Sequence, residues 1–340
     1  METSRDCPFC DAKAKLESVE TTKEFKKETF KIREFYYKCT SCGEEFMTTA
    51  TDELNINQVY NQYREKHGIP FPEEMVQIRT RYGLSAQKMS QILGLGINTY
   101  SNYEKGEIPS LAGSRLIYSA GNPEIFHSYL AQAMEFLSGS TYNSLEKRLK
   151  EFQNDTMEDS FTCNFNWYKS PNKFTGYSLP NREKVLNLLI YIVSKCNPDF
   201  NDKLKINKML FYSDFINYKH TGKSITGLAY RAIPFGPVPA NYDFIFAYFS
   251  EKERIIEPEF VQSQNSRVIE CFKALRDFDS SLFNDEEMNS INEVITHFKD
   301  ISSWDLVDLS HKEKAWTELK DTYEIIDYQY YAFDTIGIPE

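Results

Sequence analysis

LSAQKMSQILGLGINTYSNYEKGEIPS, residues 84–110 of a 340-residue chain, reads as two short helices joined by a tight turn. Ser85 offers a hydroxyl where a helix N-terminus needs a cap. Leu84, Met89, Ile92 and Leu93 recur at helical spacing and mark one apolar face. Gly94 and Gly96 break the chain. The second helix spans Asn98 to Lys105, ends at Gly106, and cannot continue through Pro109. Tyr100 and Tyr103 lie three apart and can face inward. Asn98 and Asn102 lie four apart on the other face, with Thr99 beside them, where the second helix of a helix-turn-helix carries its base readers. An asparagine amide can pair bidentately with N6 and N7 of adenine. Asparagine is a poor helix former, so two in so short a helix need a reason. A helical hairpin with two solvated asparagines is the competing reading.

Upstream, Asn57 to Lys66 and Glu73 to Arg81 read as further helices separated by HGIPFP, so residues 51–138 form an all-α DNA-binding domain. Before them stand two cysteine pairs, CPFC at Cys7 to Cys10 and CTSC at Cys39 to Cys42, with 28 residues between. This spacing places four thiolates around one zinc ion per chain, in a closed structural site with no open position for catalysis. Each pair sits at a turn bent by Pro8 or Gly43. KETFKIREFYYKC between the pairs alternates at Phe30, Ile32 and, less cleanly, Tyr37, so a strand rises into the second pair. Residues 1–50 thus read as a small β zinc ribbon whose metal supplies much of its folding energy. A disulfide or redox pair is disfavoured, since no signal peptide and no βαβ pattern accompany the cysteines. Cys163, Cys196 and Cys271 are scattered and read as buried thiols of a cytoplasmic protein.

Net charge is −11, with 9 Lys/Arg against 10 Asp/Glu in residues 1–50, 7 against 9 in 51–138, and 23 against 31 in 139–340. No segment is basic, so nucleic-acid binding rests on the motif and not on bulk charge. No apolar run approaches the length of a membrane span, about 18 residues. The acidic C-terminal part suits a protein or cationic partner.

Residues 139–160 are polar and read as a linker with a helical start at Leu145 to Phe152. Beyond it, Glu183 to Lys195 and Leu204 to Tyr218 are apolar helix patterns, the second with Ile206, Leu210 and Phe211 on one side. PFGPVP at 234–239 reads as a rigid exposed loop, flanked by the aromatics Tyr230, Phe235 and Tyr242. Trp304 and Trp316, at near-helical spacing, read as core. His220, His297 and His311 show no metal-ligand spacing, Asp214, Asp305 and Asp308 have no visible partners, and no phosphate loop occurs, so the chain does not read as an enzyme. Nothing in the sequence joins the ribbon to the C-terminal half, so replacing Cys39 by serine is expected to melt the ribbon alone.

The Leu84–Ser110 stretch, with its closing Tyr103-Glu104-Lys105-Gly106, resembles the XRE-type helix-turn-helix. Following CPFC…CTSCGE, it is similar to the MqsA-type antitoxins with a YgiT-type zinc finger, over residues 1–138. The resemblance implies that Asn98 and the residue four further on read an operator. That second position is usually arginine in the family and is Asn102 here. The segment between the cysteine pairs also departs in detail. KLKINKMLFYSDFINYKHTGKSITGLAYRAIPFGPVPANYD (203–243) and SSWDLVDLSHKEKAWTELKD (302–321) resemble the Panacea domain over roughly residues 180–320. Leu210-Phe211-Tyr212 with Asp214, the Gly222 to Gly227 stretch, Phe235-Gly236-Pro237-Val238, and Leu309-Ser310-His311 with Trp316 carry that likeness in order. It implies a mostly helical module that neutralises toxins by binding them. The expectation is therefore a multidomain, mainly α protein: zinc ribbon (1–50), helix-turn-helix domain (51–138), linker (139–160) and a Panacea-like toxin-binding domain with a small β element (161–340). It acts as an antitoxin and autorepressor, with DNA contacts at Asn98, Thr99 and Asn102, toxin contacts at Tyr230, Phe235 and Tyr242, and a homodimer on the operator. The alternative is a zinc-ribbon regulator whose C-terminal domain binds a small ligand or serves as a proteolytic adaptor.

Overall fold

The computed structural model describes residues 2–154, 170–198, 201–262 and 268–336. They divide into two compact units, Met1–Val59 with Phe161–Glu340, and Tyr60–Ser160. The protein is multidomain and mainly α, with a small N-terminal antiparallel sheet.

That sheet has the order β1 (Ser4–Asp6), β2 (Lys13–Phe25), β3 (Glu28–Cys39), β4 (Glu45–Phe46). β2 and β3 pair without interruption from Ala14 opposite Cys39 to Phe25 opposite Glu28. Burial along β3 changes phase: Phe30 and Ile32 are buried on one face, then Phe35, Tyr37 and Cys39 on the other. The register has no bulge, so the change means that the strand is covered on opposite faces at its two ends. This is why the alternation at Tyr37 is imperfect in the sequence.

Helix α1 (Thr49–His67) follows, and the division into units falls within it, between residues 59 and 60. The second unit then runs through α2 (Pro72–Arg81), α3 (Ala86–Ile92), α4 (Thr99–Glu104), α5 (Leu111–Ala120), α6 (Pro123–Gln132) and α7 (Gly139–Asn154). Leu84, Met89, Ile92 and Leu93 meet Met75, Tyr82, Tyr100, Ile117, Phe126 and Leu130 in one core. The Ser85 hydroxyl caps α3 by accepting from the Lys88 amide at 3.2 Å. The stretch expected to be a linker is helical as far as Asn154. Leu145 and Leu149, four apart, enter this core, while Lys147, Arg148 and Lys150 stay exposed. Two apolar residues at i and i+4 are enough to dock a helix whose remaining positions are charged. Residues 155–160 lie outside the described residues.

In the first unit, α8 (Arg182–Lys195) and α9 (Lys203–Thr221) match the two apolar patterns. α9 is central: every residue from Lys205 to Tyr218 is buried. It packs against α8, against β6 of the hairpin β5 (Tyr230–Ile233) and β6 (Gly236–Pro239), and against α11 (Asp285–Phe298) and α12 (Ser303–Ser310). Between them in sequence lie α10 (Tyr242–Ala247) and the hairpin of β7 (Ile256–Gln262) and β8 (Val268–Ala274). α13 (Lys314–Leu319) and α14 (Tyr328–Tyr331) close the order. PFGPVP is not an exposed loop. Ile233 pairs with Gly236, leaving Pro234 and Phe235 as a two-residue turn, and Gly236–Pro239 form a buried strand. Prolines are tolerated because this sheet has two strands and needs few amide donors. Cys196 and Cys271 are buried as expected, and Cys163 lies outside the described residues.

The ribbon does not stand alone. Phe35 packs on Phe333 with ring centroids 5.4 Å apart, and Arg33 pairs with Asp334 at 2.7 Å. This overturns the premise that nothing joins the ribbon to the C-terminal half. The packing residues come from the two ends of the chain and carry no local signal.

Candidate functional sites

The four cysteines arrive from three places. Cys7 and Cys10 follow β1, Cys39 ends β3, and Cys42 precedes β4. Their sulfurs lie within 4.8 Å of one another, with Cys7 Sγ to Cys42 Sγ at 3.8 Å and Cys10 Sγ to Cys39 Sγ at 3.4 Å. A tetrahedral thiolate site with bonds of about 2.3 Å has edges of about 3.8 Å, so the donor set fits a metal ion. Backbone amides of Phe9, and of Ser41 and Cys42, point at Cys7 and Cys39 at 3.4 Å. The Cys42 and Ser41 amides hold the Cys39 thiol below its usual range, while burial and the neighbouring thiols push Cys42 up, so the cluster as it stands favours one thiolate among the four. The surrounding core is small, comprising Cys7, Ala14, Tyr37 and Cys39.

In the second unit, α4 is held by three polar contacts. Ser90 Oγ accepts from the Tyr100 amide at 3.0 Å, and the Tyr100 hydroxyl donates to the Met75 carbonyl at 2.9 Å. Arg79 clasps Glu104 with Nε to Oε1 at 2.6 Å and Nη2 to Oε2 at 3.2 Å, and Nη1 reaches the Leu84 carbonyl at 2.6 Å. The glutamate of the Tyr-Glu-Lys-Gly ending thus anchors the helix. Burial raises the Tyr100 phenol and keeps it a neutral donor. Asn98 sits at the N-cap position, and Asn98 and Asn102 are exposed. Thr99 is half-buried. Two exposed amides, one at the cap and one four residues on within the helix, thus accompany a less exposed Thr99.

The three aromatics named from the sequence are not one patch. Tyr230 is buried and its hydroxyl donates to Asp214 at 2.7 Å, so it cannot touch a partner and is removed from the contact set. Its place at the start of a buried hairpin, opposite Pro239, put it in the core. Phe235 is 48 % exposed at the hairpin turn, and its ring meets Trp304, 58 % exposed, edge to face at 6.1 Å. Tyr242 is half-buried at the start of α10 and shares no ring contact with Phe235 among the described residues.

Trp304 was expected in the core and lies outside. The buried positions of α12 are Ser303, Leu306, Val307 and Ser310. That spacing leaves Trp304, Asp305 and Asp308 on the exposed face. The helix ends at Ser310, so Trp316 belongs to a separate helix. It stacks on His311 at 3.8 Å and donates its indole N–H to the Ile233 carbonyl at 2.7 Å. The hairpin turn is therefore fixed from beneath. Gly236, at φ +94°, permits it: a Cβ there would stand 2.2 Å from Ser310 Oγ and 2.7 Å from Lys208 Cε.

Sequence reasoning also missed the buried polar groups of this unit. Asp214 accepts from the Ile225 and Thr226 amides, each at 2.8 Å, and from the Thr226 and Tyr230 hydroxyls. Burial raises its carboxyl to about 6, against the pull of those four donors. Lys208 is buried with Nζ 2.8 Å from the Pro237 carbonyl, and burial lowers it to about 7. Lys205 donates to the Lys299 and Ile301 carbonyls at 2.7 Å. Glu313, raised to about 7 by burial, accepts from the Ile336 amide at 3.1 Å. Lys205 and Lys208 lie three apart on α9; the first pins the segment just before α12 and the second pins β6. A polar residue inside an apolar helical run was the available signal, since such groups are buried only when bonded.

Residues 5–118 match the family model described as the antitoxin component of bacterial toxin-antitoxin system, MqsA. Residues 206–317 match the model described as antitoxin SocA-like, Panacea domain. A search of curated proteins finds no match to this chain. The chain thus joins an MqsA-type N-terminal part to a Panacea domain, two modules that both belong to antitoxin families.

Proposed function

We propose that this protein is an antitoxin that binds its cognate toxin through the C-terminal domain and represses its own operon through α4. The observation that carries the reading is the joining of two antitoxin-family segments, 5–118 and 206–317, in one chain. Three jobs follow. Cys7, Cys10, Cys39 and Cys42 hold one structural zinc, because four thiolates with closed geometry suit that ion and leave no site for chemistry. Asn98 and Asn102 read operator bases, and the less exposed Thr99 reaches the backbone. Two copies bind an inverted repeat, as a two-fold protein does on a palindromic site.

The toxin face is built on Phe235, with Tyr242 as a second contact. Trp304 joins Phe235 there. A paired Phe and Trp, both half-exposed and held from beneath by Trp316 and Gly236, lose little entropy on docking. Asp305 and Asp308 border the pair on α12 and favour a basic partner. The protein acts in the cytoplasm, where four thiols stay reduced.

The test is co-expression of the full chain with the product of the adjacent reading frame. Rescue of growth together with co-purification supports the reading. A soluble chain that neither rescues growth nor retains the neighbour overturns it.

A further inference from the structure

β3 pairs with β2 along its length, but with β4 only at Tyr37 and Lys38. Next along its outer edge, at Phe35 and Arg33, side chains of α1 take the place of a strand. Asn55 accepts from the Phe35 amide at 2.8 Å and donates to the Phe35 carbonyl at 3.0 Å. Gln58 does the same for Arg33, at 2.9 and 2.8 Å. Two carboxamides three apart on a helix thereby stand in for a neighbouring strand, and both side chains are buried. The same groups reach the end of the chain. Gln329 Nε2 donates to Gln58 Oε1 at 3.1 Å, and its Oε1 accepts from the Tyr218 hydroxyl at 2.7 Å. Phe35 and Tyr218 both pack on Phe333, at 5.4 and 5.6 Å. Asp334 bridges Arg33 at 2.7 Å and Lys314 at 2.9 Å. Asn57 donates to the Thr221 carbonyl at 3.2 Å.

We infer that the ribbon is a clamp on the C-terminal domain: order in β3 sets the order of residues 327–336. Through Asp334 to Lys314, and through the Ile336 amide to Glu313, it also steadies the segment that carries Trp316. Cys39 is the last residue of β3, four beyond Phe35, and the ribbon's own core is small. Given the zinc reading on which this arm rests, metal loss frays β3 from that end and releases the clamp. The domain that grips the toxin would then depend on a site far from it in sequence. Such dependence makes neutralising capacity sensitive to metal supply, by local unfolding and not by a change at the toxin face.

The experiment is hydrogen exchange on the full chain, read by peptide, with metal content measured on the same samples. Stripping the metal with a chelator is expected to speed exchange roughly tenfold or more in both 28–39 and 327–336, while 84–130 stays unchanged. Faster exchange in 28–39 with 327–336 unmoved overturns the clamp. A second arm leaves the cysteines alone. Arg33→Ala and Phe35→Ala are expected to accelerate 327–336 even if the fresh protein proves to hold no metal, an outcome that would sink the zinc reading but not the clamp. If neither variant moves 327–336, the clamp is wrong whatever the metal content.

Discussion

The helix-turn-helix unit and the C-terminal domain are both helical, yet they are held in different ways. The first is an apolar core with periodic spacing, to which charged contacts such as Arg79 with Glu104 and Arg64 with the Gly106 carbonyl are added at the edge. The second is built around the buried α9, which carries Lys205 and Lys208, bonded to carbonyls far away in sequence, and Asp214, bonded to the amides of the turn that follows. An apolar core tolerates loss of one side chain at the cost of a cavity. A buried polar pin does not, because its removal leaves several desolvated partners at once.

This contrast sets the order of the expected effects. Asp214→Ala should be the most damaging change. It strands two amides and two hydroxyls, and we expect a loss of about 3–5 kcal/mol in chemical denaturation, or failure to fold. Leu149→Ala in α7 should cost about 2–4 kcal/mol and lower only the transition of residues 60–154. If it lowers the C-terminal transition equally, the two units are one cooperative structure and the comparison fails.

The pH dependence sharpens the same point. Asp214 and Glu313 have folded values of about 6 and about 7, both raised above their ordinary ones. At these two groups the native state therefore holds more protons than the unfolded state between about pH 4 and 7. Their contribution is fully present below the ordinary carboxyl range and is lost as pH rises through the folded values. These two groups should thus draw stability down from pH 4 to pH 7 while His220, lowered to about 3 by burial, works in the opposite sense, and Glu313→Gln should make the slope less negative. A slope unchanged by Glu313→Gln would mean that Glu313 titrates normally. Smallest in free energy are the base contacts: Asn98→Ala and Asn102→Ala should each weaken specific operator binding by about 1–3 kcal/mol and leave folding intact. Band shifts at fixed salt check this, since non-specific binding depends mainly on phosphate contacts.

The same division explains what the sequence could reveal. The cysteine spacing, the cap at Ser85 and the apolar face of α3 are local, and each appears in the structure as read. Leu145 and Leu149 were equally local, but polar neighbours masked them and the stretch looked like a linker. Asp214, Lys208 and the Arg33–Asp334 pair are non-local. Nothing within a few residues of Asp214 says that Thr226 and Tyr230 will close over it. Proline and glycine in PFGPVP signalled a turn correctly but not that four of the six residues are a buried strand. The burial pattern of α12 is a simple helical one and would have placed Trp304, but its near-helical spacing to Trp316 pointed to a shared core.

The claim that the two units carry separate tasks is tested most directly by one paired measurement. Phe235→Ala with Trp304→Ala, and separately Asn98→Ala with Asn102→Ala, are scored for growth rescue against the adjacent toxin and for operator binding. The aromatic variant should lose rescue and keep operator binding, and the asparagine variant should do the reverse. Full rescue by the aromatic variant, with loss of rescue in the asparagine variant, would place toxin recognition on the helix-turn-helix unit and contradict the account.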